Sequence, residues 1–193
     1  MVGTDADEVE RDLVGGNLAC PECEGELRPW GFARWRTLRD RGTERRVRPR
    51  RSRCRRCRKT HVLLPIVALL RRRDLAAVIG EALRRRHLEG VSRREVAEFA
   101  GVHPDTARGW LRRFAARAEA IRVHFTALVH RLDPEIPPIE PRGSPAADAL
   151  EAIGVAAAAA TRRLGPAPLW DFVAAASGGL LLANASVLLP PAR

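Results

Sequence analysis

The stretch Cys20-Pro-Glu-Cys23, answered further along by Cys54-Arg-Arg-Cys57, decides how this chain is read. These are the four cysteines of the 193 residues. A Cys-x-x-Cys knuckle makes two thiolates diverge from one tight turn, and two knuckles complete a tetrahedral four-sulfur site for a structural zinc ion. The competing reading is two disulfides or four idle thiols. The N-terminal stretch Met1 to Asp12 is acidic and has no apolar run, so no export signal is expected. A reducing cytoplasm with metal-bound thiolates is the expectation, and a dithiol redox motif would not need a twin. The segment Glu24 to Arg53 between the knuckles is long enough for a β-hairpin, which makes residues 18–66 a zinc ribbon.

Inside that segment Leu27, Trp30, Phe32 and Trp35 recur in strand-like fashion before a turn at Asp40-Arg41-Gly42. Glu44 to Arg53 returns, with Val47 as its main apolar residue. After Cys57 come Lys59-Thr60-His61 and the apolar run Val62-Leu63-Leu64, stopped by Pro65. With four sulfurs filling the site, His61 reads as a hydrogen-bonding or phosphate-facing side chain rather than a spare ligand.

Charge is segregated along the chain. The net charge is +11, but residues 1–26 carry −7, residues 27–73 carry +16, residues 74–124 carry +3 and the remainder −1. Residues 1–17 read as a disordered acidic lead, and as a candidate internal competitor for the basic surface that follows. Lys59 is the single lysine; all other basic residues are Arg. Guanidinium forks onto phosphate oxygens and reads guanine edges bidentately. A GC-rich coding bias explains Arg over Lys but not the clustering. Arg34, Arg36, Arg48 and Arg50 of the hairpin, with Arg55, Arg56, Arg58 and Lys59 around the second knuckle, are the candidate phosphate contacts. Trp30 and Trp35 fall near that face.

From Leu69 the apolar period changes to three and four. Leu75, Val78, Ile79, Ala82 and Leu83 predict an amphipathic helix ending near Gly90. Ser92-Arg93-Arg94-Glu95 is a capping box that opens a second helix burying Val96, Ala97 and Ala100 or Phe99, with Gly101 at its end. His103-Pro104 starts a third, with Ala107, Trp110, Leu111, Phe114 and Ala118 as its apolar stripe, predicted to continue through Ile121 and Phe125 to about Leu132. Residues 92–114 thus carry the pattern of a helix-turn-helix within a domain spanning 67–132. Arg93, Arg94, His103, Asp105, Thr106, Arg108, Arg112 and Arg113 are its candidate DNA contacts, and Gly109 on the same face would allow close approach. The competing reading is a three-helix packing unit with a solvated Arg face.

Residues 133–145 hold five prolines and read as a stiff linker. Residues 146–193 read as a C-terminal helical region: an Ala-rich helix over Ala146 to Leu164 and another over Trp170 to Leu189, open to a break at Gly178-Gly179. Phe172 to Leu189 is uncharged, but the glycines and its polar residues favour a buried or partner-facing helix over a membrane span. The predicted fold class is mainly α with a small N-terminal β zinc ribbon, a helix-turn-helix core and C-terminal helices.

The run Cys20-Pro-Glu-Cys23 with Leu27-Arg28-Pro29-Trp30-Gly31, and Arg53 to Pro65, resembles the zinc-ribbon front end of actinobacterial insertion-sequence transposases. Thr106-Ala107-Arg108-Gly109-Trp110-Leu111-Arg112-Arg113-Phe114 is similar to their helix-turn-helix, and an actinobacterial family combines these two parts. The resemblance covers roughly residues 18–120. It implies recognition of element ends or related double-stranded DNA, with Zn2+ as a structural ion. Complete transposases of this kind carry a ribonuclease-H-like domain with three carboxylates on a mixed sheet. Here Asp133, Glu135, Glu140, Asp148, Glu151 and Asp171 lack the intervening strand patterns that two-metal catalysis needs.

No Ser-His-Asp set, phosphate-binding glycine loop or Cys-His nucleophile is visible, and the five histidines are scattered. The expectation is therefore a non-enzymatic, sequence-specific DNA-binding protein of the cytoplasm and nucleoid, either transposon-associated or a transcription regulator. The alternative is the DNA-recognition subunit of a split transposase whose catalytic chain is separate. A homodimer would suit a two-fold DNA site. An RNA- or ribosome-associated ribbon is a third reading, which the helix-turn-helix pattern argues against.

Overall fold

In the computed structural model, which describes residues 1–183, the hairpin between the knuckles is present but bent. β1 (Leu27–Phe32) pairs antiparallel with β4 (Arg50–Cys54), and β2 (Arg36–Asp40) with β3 (Thr43–Val47). Arg41 and Gly42 form a two-residue turn with φ of 44° and 93°. Positive φ at both central residues marks the type I′ turn, whose twist matches that of paired strands. The ladder slips between Pro29 and Phe32, where Gly31 has φ 84°. It is interrupted again where the Ala33 N–H donates to the Pro49 carbonyl at 2.9 Å, since Pro49 has no N–H to return. Such irregularities bend a strand pair. β5 (Thr60–Val62) completes a three-stranded sheet of order β1-β4-β5.

The bend carries the hairpin tip onto the helical unit. The Arg39 N–H donates to the Arg73 carbonyl at 2.7 Å, and the Leu75 N–H to the Arg39 carbonyl at 3.0 Å. The Arg39 guanidinium grips buried Asp74 at 3.0 Å. Leu38, which the strand pattern did not single out, is buried by this docking.

Residues 1–17 are not a disordered lead. They contain α1 (Ala6–Gly15), capped by Asp5, whose side chain accepts from the N–H groups of Asp7 and Glu8 at 2.9 and 3.3 Å. Val9 and Leu13, four residues apart, share one face and enter a small core with Cys20, Leu27, Cys54 and Leu63. Net acidity masked that two-residue stripe. The acids of the first turn also suit the positive end of the helix dipole.

The second core gathers α2 (Ala76–His87), α3 (Arg93–Ala100), α4 (Pro104–Ala115), α5 (Ala118–Leu132), α6 (Pro145–Leu164) and α7 (Leu169–Ala176). Both halves of the capping box form: the Glu95 N–H donates to Ser92 Oγ at 3.3 Å, and the Ser92 N–H to Glu95 at 3.0 Å. Gly101 ends α3 with φ 63°. The third predicted helix does not run unbroken to Leu132. It divides at Ala116-Arg117, where Arg117 has φ −116° and ψ 2°. No Gly or Pro marks that break; it turns α5 along α6.

The proline-rich segment, expected as a stiff linker, is non-helical and runs as a strap along the helical core. Arg162, near the end of α6, pairs with Asp133 just past the end of α5 at 2.9 Å, while Asp148 near the start of α6 lies beside Arg122 near the start of α5. The two helices therefore run the same way, and residues 133–144 must return the full length of α5. Fifteen helical residues rise about 22 Å, within reach of an extended strap of this length. Ile136 and Ile139 of the strap pack on the core, as do Ala149, Leu150, Ile153 and Ala156 of α6. The C-terminal helices thus share the core of α2–α5. Of the helix predicted over Trp170 to Leu189, α7 accounts for the first part, and Gly178 and Gly179 follow it with φ of 61° and 75°. The portion from Asn184 onward lies outside the described residues. Among the described residues no helix is long and apolar enough to cross a membrane.

Candidate metal centre and basic faces

The two knuckles are built alike. The residue after each second cysteine has positive φ, 60° at Glu24 and 63° at Arg58. Its N–H donates to the carbonyl of the first cysteine, at 2.9 Å for Glu24 to Cys20 and 3.1 Å for Arg58 to Cys54. The first cysteine's N–H donates onward, to Gly25 at 2.8 Å in one knuckle and Lys59 at 2.9 Å in the other. Leu27 sits opposite Cys54 in the β1–β4 register, which turns the knuckles toward each other.

The four sulfurs lie within 4.8 Å of one another and could hold a metal ion. Cys20 and Cys57 are separated by 3.7 Å, Cys23 and Cys54 by 3.4 Å. A tetrahedron with metal–sulfur bonds of ~2.3 Å has edges of ~3.8 Å, so the donor set fits a tetrathiolate ion. All four cysteines are free, with cross-knuckle sulfur separations of 3.4 and 3.7 Å, longer than a disulfide bond. Gly25 is required by the packing: a Cβ there would stand 2.7 Å from Arg56 Cβ, 3.1 Å from the Cys54 sulfur and 3.3 Å from that of Cys23.

The sulfurs are electrostatically unequal. Burial pushes the Cys54 thiol up, but the N–H groups of Cys57 and Arg56 and the Cys23 and Cys57 side chains outweigh it and bring it down to about 6. At Cys57 the Lys59 N–H draws the thiol down, yet burial and the adjoining sulfurs of Cys23, Cys54 and Cys20 raise it to about 12. Crowded sulfurs resist sharing negative charge, and a bound cation supplies the charge that lets all four ionise. His61 Nε2 lies 3.4 Å from the Cys20 sulfur, within hydrogen-bond reach, and stands outside the four-sulfur group.

Around the second knuckle the basic side chains are partly matched. Lys59 pairs with Glu22, Arg55 with Glu26 at 3.3 Å, and Arg56 donates to the Cys23 carbonyl at 3.2 Å. Arg58 is exposed. On the hairpin Arg34, Arg36 and Arg48 are exposed, whereas Arg50 is largely covered and held by both oxygens of Glu10 at 2.5 and 2.9 Å. The acidic N-terminal segment packs on the ribbon: Glu10 pairs with Arg50, Val9 and Leu13 enter its core, the Val2 N–H donates to the Leu64 carbonyl at 3.0 Å, and Arg28 donates to the Val14 carbonyl.

On the helical unit Arg93 and Arg94 are exposed at the start of α3, with Arg94 paired to Glu98 at 2.9 Å. His103 caps α4, its Nδ1 accepting from the Asp105 N–H at 3.2 Å. Asp105 holds Arg108 at 2.9 Å, Thr106 is half-buried and Arg112 is exposed. Arg113 is half-buried and donates to the Gly109 carbonyl at 3.0 Å; its guanidinium lies over Gly109, on the side expected to be open. Ala107, Trp110, Leu111 and Phe114 face the core, as the period predicted.

One run of basic residues, and the ring contacts of the hairpin arginines, were missed. Arg71-Arg72-Arg73, a visible triplet, sits beside the hairpin and frames an open groove of about 690 Å³ with Trp35 and Arg36. Arg46 stacks on Trp35 at 5.0 Å, and Arg48 lies between Trp35 at 5.7 Å and Phe32 at 4.9 Å. No pattern in the sequence announces that stack, because it forms across the bend.

A family model described as a domain of unknown function (DUF6431) matches residues 20–98. The match takes in all four cysteines, the hairpin and α2, and stops within α3, short of α4. No curated protein and no solved structure matches the chain.

Proposed function

We propose that the chain binds double-stranded DNA in a sequence-specific manner, with Zn2+ as a structural ion in the four-cysteine site and no catalysis of its own. The observation that carries this reading is the division of α4: Ala107, Trp110, Leu111 and Phe114 are sunk in the core, while His103, Asp105, Arg108 and Arg112 remain in solvent. A capped helix, a glycine-ended turn and a longer helix with a polar first turn form the arrangement that offers side chains to base edges in a major groove. The Asp105–Arg108 pair would exchange partners on binding, releasing Arg108 for guanine.

The ribbon has a separate role. Its exposed arginines neutralise phosphates and release counterions, which makes affinity steeply salt-dependent without reading sequence. The Zn2+ site holds the knuckles and, through Cys20 and Cys54, the small core on which α1 rests. The hairpin tip bonded to Arg73 and Leu75 couples the two parts, so phosphate contacts on one set the orientation of the other.

The test is to load the protein with zinc and enrich sheared genomic DNA from its own source at moderate salt. Enrichment of repeated element termini assigns it to transposition, and enrichment of promoter fragments to transcription regulation. Recovery with no sequence enrichment would remove α4 as a reader.

A further inference from the structure

We infer that the bend of the hairpin carries a second nucleic-acid site, specific for unpaired nucleotides: single-stranded DNA stacked on Phe32 and Trp35 and threaded past Arg36, Arg71 and Arg73. It rests on the DNA reading for its polymer but uses different residues from α4.

Guanidinium groups and rings alternate here in one contiguous stack. Arg50 lies 4.4 Å from the Phe32 ring centre, Arg48 4.9 Å from Phe32 and 5.7 Å from Trp35, and Arg46 5.0 Å from Trp35. Glu10 anchors the Arg50 end. Phe32 and Trp35 are nevertheless 51% and 55% exposed, so about half of each ring's surface stays in solvent beside its guanidinium partners. Among the described residues Arg46 and Arg48 form no ion pair, so two of the three guanidiniums of the stack carry uncompensated positive charge beside half-exposed rings.

Trp35 also forms one wall of the groove that holds Arg36 and the Arg71-Arg72-Arg73 run. Within it Arg39 is committed to Asp74, and Arg72 donates to the Leu182 carbonyl at 2.8 Å. Among the described residues Arg36, Arg71 and Arg73 are exposed and form no ion pair, and Glu44 is the one acid lining the groove. Ring faces therefore give onto a trough lined with free cations.

That pairing selects its ligand. In a duplex the base faces are stacked on each other and only edges and phosphates are presented, so exposed rings gain nothing from it. An unpaired strand offers base faces for the rings and guanidinium planes together with phosphates for the trough, the combination that single-strand sites use.

The experiment measures binding of an oligothymidylate of about ten nucleotides, an oligouridylate of equal length and a duplex of equal length. The zinc-loaded full chain is used in a Trp30→Phe background. Of the indoles left, Trp110 and Trp170 are buried, so Trp35 reports by fluorescence. The expected result is quenching by oligothymidylate, with an affinity loss of about tenfold for Phe32→Ala or Trp35→Ala, read for every variant by the anisotropy of an end-labelled oligothymidylate. Duplex affinity should stay within about twofold. Arg48→Lys, which keeps the charge for phosphate and removes the stacking plane, should lose more affinity for the single strand than for the duplex. Because Phe32 and Trp35 are half in solvent, neither variant empties a core. Equal losses for single strand and duplex, absence of quenching, or tighter binding of the oligouridylate would overturn the proposal. Loss of duplex sequence preference in Arg108→Ala and Arg112→Ala is independent of all these readings, so failure here leaves the α4 reading intact.

Discussion

His61 Nε2 stands 3.4 Å from the Cys20 sulfur, reaching from β5 across to the first knuckle. A metal-bound sulfur is a thiolate without a proton, so the imidazole must be the donor in the loaded site. Such outer partners orient the ligand and tune its basicity. His61→Ala is expected to lower Zn2+ affinity by about 10- to 100-fold while leaving the helical signal intact. Competition against a graded series of chelators measures it, and an unchanged affinity would mean the contact does not act on the metal.

Metal removal should act on one core and spare the other. Cys20 and Cys54 belong to the small cluster with Val9, Leu13, Leu27 and Leu63, whereas α2–α7 close around a separate and larger core. Chelation is expected to open the ribbon and release α1 while most of the helical ellipticity survives, because site formation and ribbon folding are one equilibrium. Loss of the entire helical signal in one transition would show that the hairpin tip on Asp74 makes the two cores a single cooperative unit.

Gly80 and Trp170 define the α2–α7 contact. A Cβ at position 80 would fall 2.0 Å from Cδ2 of the indole. Replacing a glycine by alanine inside an open helix is worth about 1 kcal/mol in favour of the helix. Here the sign should reverse, with Gly80→Ala costing about 1–3 kcal/mol from overpacking. Urea denaturation of Gly80→Ala beside Gly80→Ala/Trp170→Leu tests the cause: the second change should recover part of the loss.

Arg108 and Arg112 project from the exposed side of α4. If they read bases, each alanine substitution should cost about 1–3 kcal/mol of discrimination at one or two base positions. Arg36→Ala on the hairpin should weaken all sequences alike and flatten the salt dependence by about one phosphate. Binding-site selection on the three variants separates these patterns, and an unchanged preference in both α4 variants would exclude that helix as the reader.

The Glu10–Arg50 clip makes the docking of α1 sensitive to acid. The hydrogen-bonded guanidinium of Arg50 holds the Glu10 carboxyl below its ordinary 4.5. A depressed carboxylate contributes in full above its unfolded value and loses its contribution as pH falls through the folded one. Protection of the α1 amides should therefore hold at neutral pH and fall below the carboxylate range, by about 1 kcal/mol or less because Glu10 is 42% exposed. Glu10→Gln should show weaker protection at neutral pH and little further change on acidification.

What could be read from the sequence was local. The knuckle spacing, the capping box at Ser92 and Glu95, the Gly101 and Gly90 punctuation and the period of Val78, Ile79, Ala82 and Leu83 each depend on contacts within a few residues. Such contacts form wherever those residues occur in that order. Residues 1–17 were misjudged because two apolar residues at helical spacing are a weaker signal than a run of acids, and only the ribbon core gives them something to bury against.

The sequence alone therefore determined where four sulfurs could meet, that α2, α3 and α4 turn helical and which side of α4 is apolar. Tertiary structure alone decided that the hairpin bends at Gly31 and Pro49, that the third helix breaks at Arg117, that the proline segment runs back as a strap, and that Trp35 and the Arg71–Arg73 run line one groove. The physical reason is range. Turns, caps and periodicity are set by neighbouring backbone, while bends and shared faces are set by which distant surfaces can close over one another, as Trp170 does on Gly80 and Arg39 on Asp74.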